Sequence, residues 1–109
     1  MKNQLPLLAM SIVACLALPA QAADEGAAQA LAKKSGCMKC HSVSADKDGP
    51  SFKKTAAKYK GKADAEATLY KHVTTGPMVK VDGKEERHEI IKSKDDREIK
   101  NAIAYILSR

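Results

Sequence analysis

The stretch Gly36-Cys37-Met38-Lys39-Cys40-His41-Ser42-Val43 packs two cysteines, a histidine and a methionine into one short segment. Two cysteines separated by two residues admit three chemistries: a redox dithiol, half of a zinc site, or a pair of tethers for a haem. The rest of the chain has to choose among them.

The residues preceding that stretch come first. Lys2 is followed by the uncharged run LPLLAMSIVACLALPA, which closes on Ala20-Gln21-Ala22 before Ala23-Asp24-Glu25. A basic start, a short apolar core and an A-x-A end describe a secretory leader, with cleavage expected after Ala22. An uncleaved membrane anchor is the alternative, and Pro19 with the small-residue end argues against it. Cys15 loosely matches a lipoprotein signal, but the apolar run continues past it, so it is expected to leave with the leader. The expected division is therefore a signal peptide over 1–22 and one domain over 23–109. Its destination would be the periplasm.

The whole chain has 109 residues and a formal charge of +6, of which only Lys2 goes with the leader. The basic excess lies in Lys33-Lys34, Lys53-Lys54, Lys58, Lys60 and Lys62. Only Tyr59 interrupts the last group, so a stacking surface for nucleic acid is not expected. An acidic protein steered by charge is the better partner for such a face. With one Phe and no Trp, so small a domain has little to build a core from, and a cofactor is expected to complete it.

Four helices can be drawn, and the class reads as all-α. The first runs from Asp24 through acids and then lysines to a stop at Gly36. The second, SFKKTAAKY, puts Phe52, Ala56 and Tyr59 near one face. The third, DAEATLYKHVTTG, starts at an Asp able to cap and spaces Ala65, Leu69 and Val73 helically before Gly76-Pro77. The last has Ser93-x-x-Asp96 as a capping-box variant, then Ile99, Ala102, Ile103 and Ile106 with helical period. Between the last two helices lies GPMVKVDGKEERHEIIK, a long connection in which Asp82-Gly83 could turn a short hairpin.

This context selects among the chemistries of Cys37-Met38-Lys39-Cys40-His41. A thioredoxin-like dithiol expects a βαβ setting, which is missing. A structural zinc needs four ligands, and residues 23–109 hold no third cysteine. A Cys37–Cys40 disulfide would close a short, strained loop. Covalent haem uses all five positions: the thiols add to the vinyl groups, and the adjacent imidazole takes the iron. Export agrees, since this attachment occurs outside the cytoplasm.

These segments together resemble the small bacterial class I cytochromes c. GCMKCH follows the first helix as in that family; GPSFKKTAAKY matches its Gly-Pro-x-aromatic segment; AEATLYKHVTTG and IKNAIAYILSR match its last two helices. The resemblance implies about four helices around one covalently attached haem c with its iron. It implies that Pro50 accepts a hydrogen bond from His41, the proximal ligand, and so orients it. It also implies that Leu31 and Ala32 meet Ala102, Tyr105 and Ile106, and that His72 lies near a haem propionate.

The family's distal ligand is usually a methionine from the loop before the last helix. Met38 sits inside the attachment motif and cannot reach the far face. Met78 comes early in the connection, whereas His88 lies nearer to where the family's methionine falls, so spacing favours His88 with Met78 as the alternative. A thioether would raise the reduction potential and a second imidazole would lower it. The function implied is a monomeric, soluble one-electron carrier, not an enzyme, meeting its redox partners transiently. A haem-based gas sensor and a cytochrome subunit of a periplasmic oxidoreductase are the alternatives.

Overall fold

The computed structural model describes residues 23–109. The expected leader, with Cys15, lies outside the described residues. The order of elements is α1 (Glu25–Lys34), a single 3₁₀ turn (Cys37–Lys39), α2 (Phe52–Tyr59), α3 (Ala65–Thr75), β1 (Met78–Val81), β2 (Lys84–Arg87) and α4 (Asp96–Leu107). None of the described helices is long and apolar enough to cross a membrane.

The helix ends follow from local chemistry. Asp24 caps α1, its carboxylate accepting from the Ala27 N–H at 3.1 Å. Gly36, at φ 79°, takes the left-handed conformation that turns the chain out of α1. Ser51 caps α2 by accepting from the Lys54 N–H at 3.1 Å.

Two expected caps differ. Asp64 occupies the N-cap of α3 but receives no backbone N–H, because its φ −93°, ψ 5° are not extended. Its carboxylate instead takes the Thr68 hydroxyl at 3.4 Å. At α4 the cap is Asp95, not Ser93, and it accepts from the Arg97 N–H at 2.9 Å. The Ser93 hydroxyl is engaged elsewhere, donating to Glu98 at 2.6 Å and accepting from the Asp95 N–H.

The connection before α4 does form a hairpin. Strands β1 and β2 pair antiparallel, Met78 opposite Arg87 and Val81 opposite Lys84. The turn residues Asp82 and Gly83 have φ 49° and 76°, the left-handed pair of a type I′ turn. The fold is otherwise helical.

The core lies along α4. On one side Ile91, Ile99, Ala102 and Ile103 form a buried cluster, joined by Leu31, Leu69, Tyr70 and Val73. On the other, Ala28, Phe52 and Tyr105 cluster with Ile106 and Met38 against them. Helices α1 and α4 therefore do pack together, but with the partners divided. Leu31 joins the group around Ala102, and Ala28 rather than Leu31 sits in the cluster of Tyr105. Asn101 ties the N-terminus of α1 to α4, accepting from the Asp24 N–H at 2.8 Å and donating to its carbonyl at 2.9 Å.

Candidate haem site

The CxxCH segment is held by its own backbone. After Gly36, the N–H groups of Cys40 and His41 both donate to the Cys37 carbonyl, at 3.2 and 2.9 Å. Both thiols are free and half-buried, so no Cys37–Cys40 bridge competes for them. Burial pushes the Cys37 thiol above its ordinary value, and the carboxylate of Glu89 adds to the effect.

His41 is fixed from several directions. Its Nδ1 lies 2.7 Å from the Pro50 carbonyl, which can only accept, so Nδ1 carries a proton and in the neutral ring the lone pair is on Nε2. The Phe52 ring stacks on the imidazole with centroids 5.8 Å apart, and Tyr105 meets Phe52 edge-on at 6.2 Å. A chain of rings thus runs from the site into the core. Gly49 lies directly behind His41: a Cβ there would stand 2.5 Å from the imidazole Cε1 and 2.9 Å from Nδ1. Its own N–H donates to the Cys40 carbonyl at 2.7 Å. Asp46 secures the same loop, accepting from the Ser51 N–H at 2.9 Å and from the Lys54 ammonium at 3.2 Å.

The opposite wall comes from the end of α3 and the chain leaving the hairpin. Gly76 ends α3 at φ 59°, and Arg87 donates to its carbonyl at 2.9 Å. The His88 N–H donates to Pro77 and the Ile91 N–H to Val73, each at 2.9 Å. The hairpin is therefore an excursion whose two ends are stitched together beside α3. His88 stands at that seam, half-buried, with its Nδ1 2.7 Å from the Glu89 carbonyl. By the same reasoning as for His41, its Nε2 is free.

The two imidazoles lie on the same site, with centroids 6.1 Å apart and planes inclined at 48°. Met78 goes elsewhere: in β1 it belongs to the exposed face with Lys80, and it is 55% exposed. His72, on the last turn of α3, meets the His88 ring edge-on at 4.3 Å. Burial, then the nearby His88 and His41 and Lys58, hold His72 below the usual histidine range. Among the described residues no group of three or more His, Cys, Asp or Glu side chains is placed to hold a metal ion by itself.

The description "Cytochrome c" belongs to the family model that matches residues 24–109. The chain belongs to the cytochrome c family. It is 37% identical over 71 residues to cytochrome c-551 of Pseudomonas aeruginosa, covering 65% of this chain and 68% of that one. It is 43% identical over 67 residues to cytochrome c-551 of Allochromatium vinosum, covering 62% and 67%. Among solved structures, the class 1 cytochrome MtoD from Sideroxydans lithotrophicus ES-1 superposes with a TM-score of 0.76. The two are 53% identical, over 80% of this chain and 97% of MtoD. This is a small class I monohaem cytochrome c with electron transfer as its family's role, and its cofactor is one covalently attached haem c.

The residues of this cytochrome fit that group. Two free thiols stand on one turn, immediately before an imidazole whose Nδ1 is occupied and whose Nε2 is available. An imidazole nitrogen at about 2 Å from a metal puts the ring centroid about 3 Å from it, so two imidazoles approaching one metal from opposite sides would have centroids about 6 Å apart. The separation of His41 and His88 has that value.

Sequence reasoning placed Gly49 and Phe52 in the Gly-Pro-x-aromatic segment without their contacts to His41, and gave Gly76 no part in this cytochrome's site. The signal for Gly49 was its place before Pro50, since a glycine marks a close approach of backbone to another group. For Gly76 it was the helix stop. Phe52 was read as a helix-face residue and as the aromatic of that segment; its stacking on His41 came from the structure. Met38 is a packing residue against the Phe52–Tyr105 cluster.

Proposed function

We propose that this cytochrome is a periplasmic one-electron carrier in which the Cys37 and Cys40 thiols would tether the haem and the His41 and His88 imidazoles would each supply a nitrogen to its iron. The observation that supports this best is the approach of the two imidazole centroids to 6.1 Å, each ring with Nδ1 engaged by a carbonyl. Haem c supplies the ferric–ferrous couple. The Pro50 and Glu89 carbonyls fix the tautomer of each histidine and increase the basicity of its free nitrogen. Strongly basic nitrogen donors favour the ferric state, so His88 in place of a thioether lowers the reduction potential.

Export is supported by the leader-like residues 1–22. Charge-steered, transient docking to an acidic redox partner is supported by Lys53, Lys58, Lys60 and Lys62, all on or just after α2, with Tyr59 alone less exposed among them. Such encounters are small in area and gain speed from charge.

The test is the absorption spectrum of the oxidised holoprotein purified from a periplasmic fraction, with His88→Ala and Met78→Ala beside it. The expected result is a low-spin ferric spectrum without the weak long-wavelength charge-transfer band of methionine ligation. His88→Ala becomes high-spin and binds carbon monoxide when reduced; Met78→Ala is unchanged. A methionine band that disappears in Met78→Ala would assign the ligand to Met78. Wild-type protein that binds carbon monoxide readily would favour a sensor over a carrier. Intact mass reports the leader: a mature chain starting at Ala23 is expected.

A further inference from the structure

We infer that His72 is a positioning residue for His88: its ring, edge-on to the His88 imidazole, sets the plane in which His88 presents its free nitrogen. This rests on the reading of His88 as the distal ligand.

His88 is attached to a lightly held element. The hairpin before it has a wholly exposed second strand, and Ile90 just after it is 49% exposed. Its backbone is tied at Pro77, and its Nδ1 at Glu89. Neither tie fixes rotation of the ring about Cβ–Cγ tightly, because that torsion has broad wells, and Glu89 belongs to the same loop.

His72 comes from the opposite kind of element. It lies on α3, whose Leu69 and Val73 pack into the core cluster of α4. The hydroxyls of Thr74 and Thr75 bond to the carbonyls of Tyr70 and Lys71, each at 2.7 Å, around the turn that carries it. Its ring meets His88 at 61° and 4.3 Å, an edge-to-face contact just closer than the range of about 4.5–7 Å usual for ring pairs. The ring that the loop holds only through Glu89 thus meets one mounted on a helix. Nothing in the contact requires a hydrogen bond from His72, so a ring without nitrogen should do the same work.

The test uses the mature holoprotein with His72→Ala and His72→Phe. One readout is the spread of g-values in the low-spin ferric electron paramagnetic resonance spectrum, which depends on the relative orientation of two axial imidazole planes. The other is the rate at which cyanide replaces the distal ligand. With His72→Ala the g-spread shifts and cyanide enters about tenfold faster, the lower end of the effect of removing a group that holds a ligand; His72→Phe stays within about twofold of wild type. His72→Leu, which keeps apolar bulk without a planar face, replaces the alanine variant if that does not mature.

Wild-type g-values and cyanide rate in the alanine or leucine variant would overturn the proposal even if thermal stability fell. So would an equal change in His72→Phe, which would place the effect in the nitrogen chemistry. A low-spin spectrum lost in a His72 variant but kept in His88→Ala would make His72 the ligand and overturn it too. Failure of the underlying reading shows separately, as a methionine band in wild type.

Discussion

The two walls of the site are built in different ways. The Cys37–Pro50 wall is local: both thiols, the imidazole, the glycine behind it and the carbonyl that fixes it fall within one short segment, tied by hydrogen bonds among near neighbours. The Gly76–Ile91 wall is assembled. His88 reaches its place only because a hairpin closes, Pro77 and His88 pair across its base, and α3 stands beside it. A local wall can be held by covalent and short-range constraints; an assembled one depends on several contacts forming together. Loss of the tethers in the first should therefore abolish the site, and changes at the second should retune it.

The sharpest way to break this comparison is to exchange the consequences. Cys37→Ala with Cys40→Ala is expected to remove covalent haem entirely, read as the absence of the haem mass on the intact chain. His88→Ala is expected to leave the haem mass in place and change only the spin state. If His88→Ala also lost haem, the two walls would be equally necessary for assembly and the distinction would fall.

The glycines give a finer test, because each wall has one behind its histidine. At Gly76 an added Cβ would meet the His88 carbonyl at 2.7 Å, and φ 59° adds left-handed strain of about 1–2 kcal/mol for alanine. At Gly49 it would meet the His41 ring at 2.5 Å without a positive φ. Gly76→Ala is expected to cost more than Gly49→Ala, for which overpacking alone gives about 1–3 kcal/mol, both measured by urea unfolding of the holoprotein. Only Gly76→Ala should raise the high-spin fraction, since it displaces the wall held by fewer ties. A larger spectral change in Gly49→Ala would reverse that ranking.

The smallest effect concerns the loop beneath His41. The Ser51 N–H, then the Lys54 ammonium, hold the Asp46 carboxyl below the usual carboxylate range. A depressed carboxylate contributes stability above its unfolded value, and that contribution disappears as pH falls through the folded one. Asp46→Asn is therefore expected to lower Tm slightly at neutral pH and to converge with wild type in acid. A difference that grew toward acid would mean that Asp46 acts otherwise.

Much of this was legible in the residues. The CxxCH run could be read for its chemistry because its two cysteines and its histidine fall within five contiguous residues, with Met38 and Lys39 between them. The four helices followed from capping residues and apolar period, with Asp95 replacing Ser93 at the last cap because the Ser93 hydroxyl had another partner. Pro50 was visible through the Gly-Pro segment, and the structure puts its carbonyl 2.7 Å from the His41 Nδ1.

What the sequence could not determine was how side chains far apart along it meet. The Val-Lys-Val and Asp-Gly pattern allowed a hairpin, but only the pairing of Met78 with Arg87 turns Met78 outward and brings His88 back beside α3. The contact of His72 with His88 needs both that return and the seating of α3 on α4. A covalent motif is read from order alone because its geometry is local. The far wall is decided by hydrogen bonds and packing between segments whose separation in sequence says nothing about their distance in space.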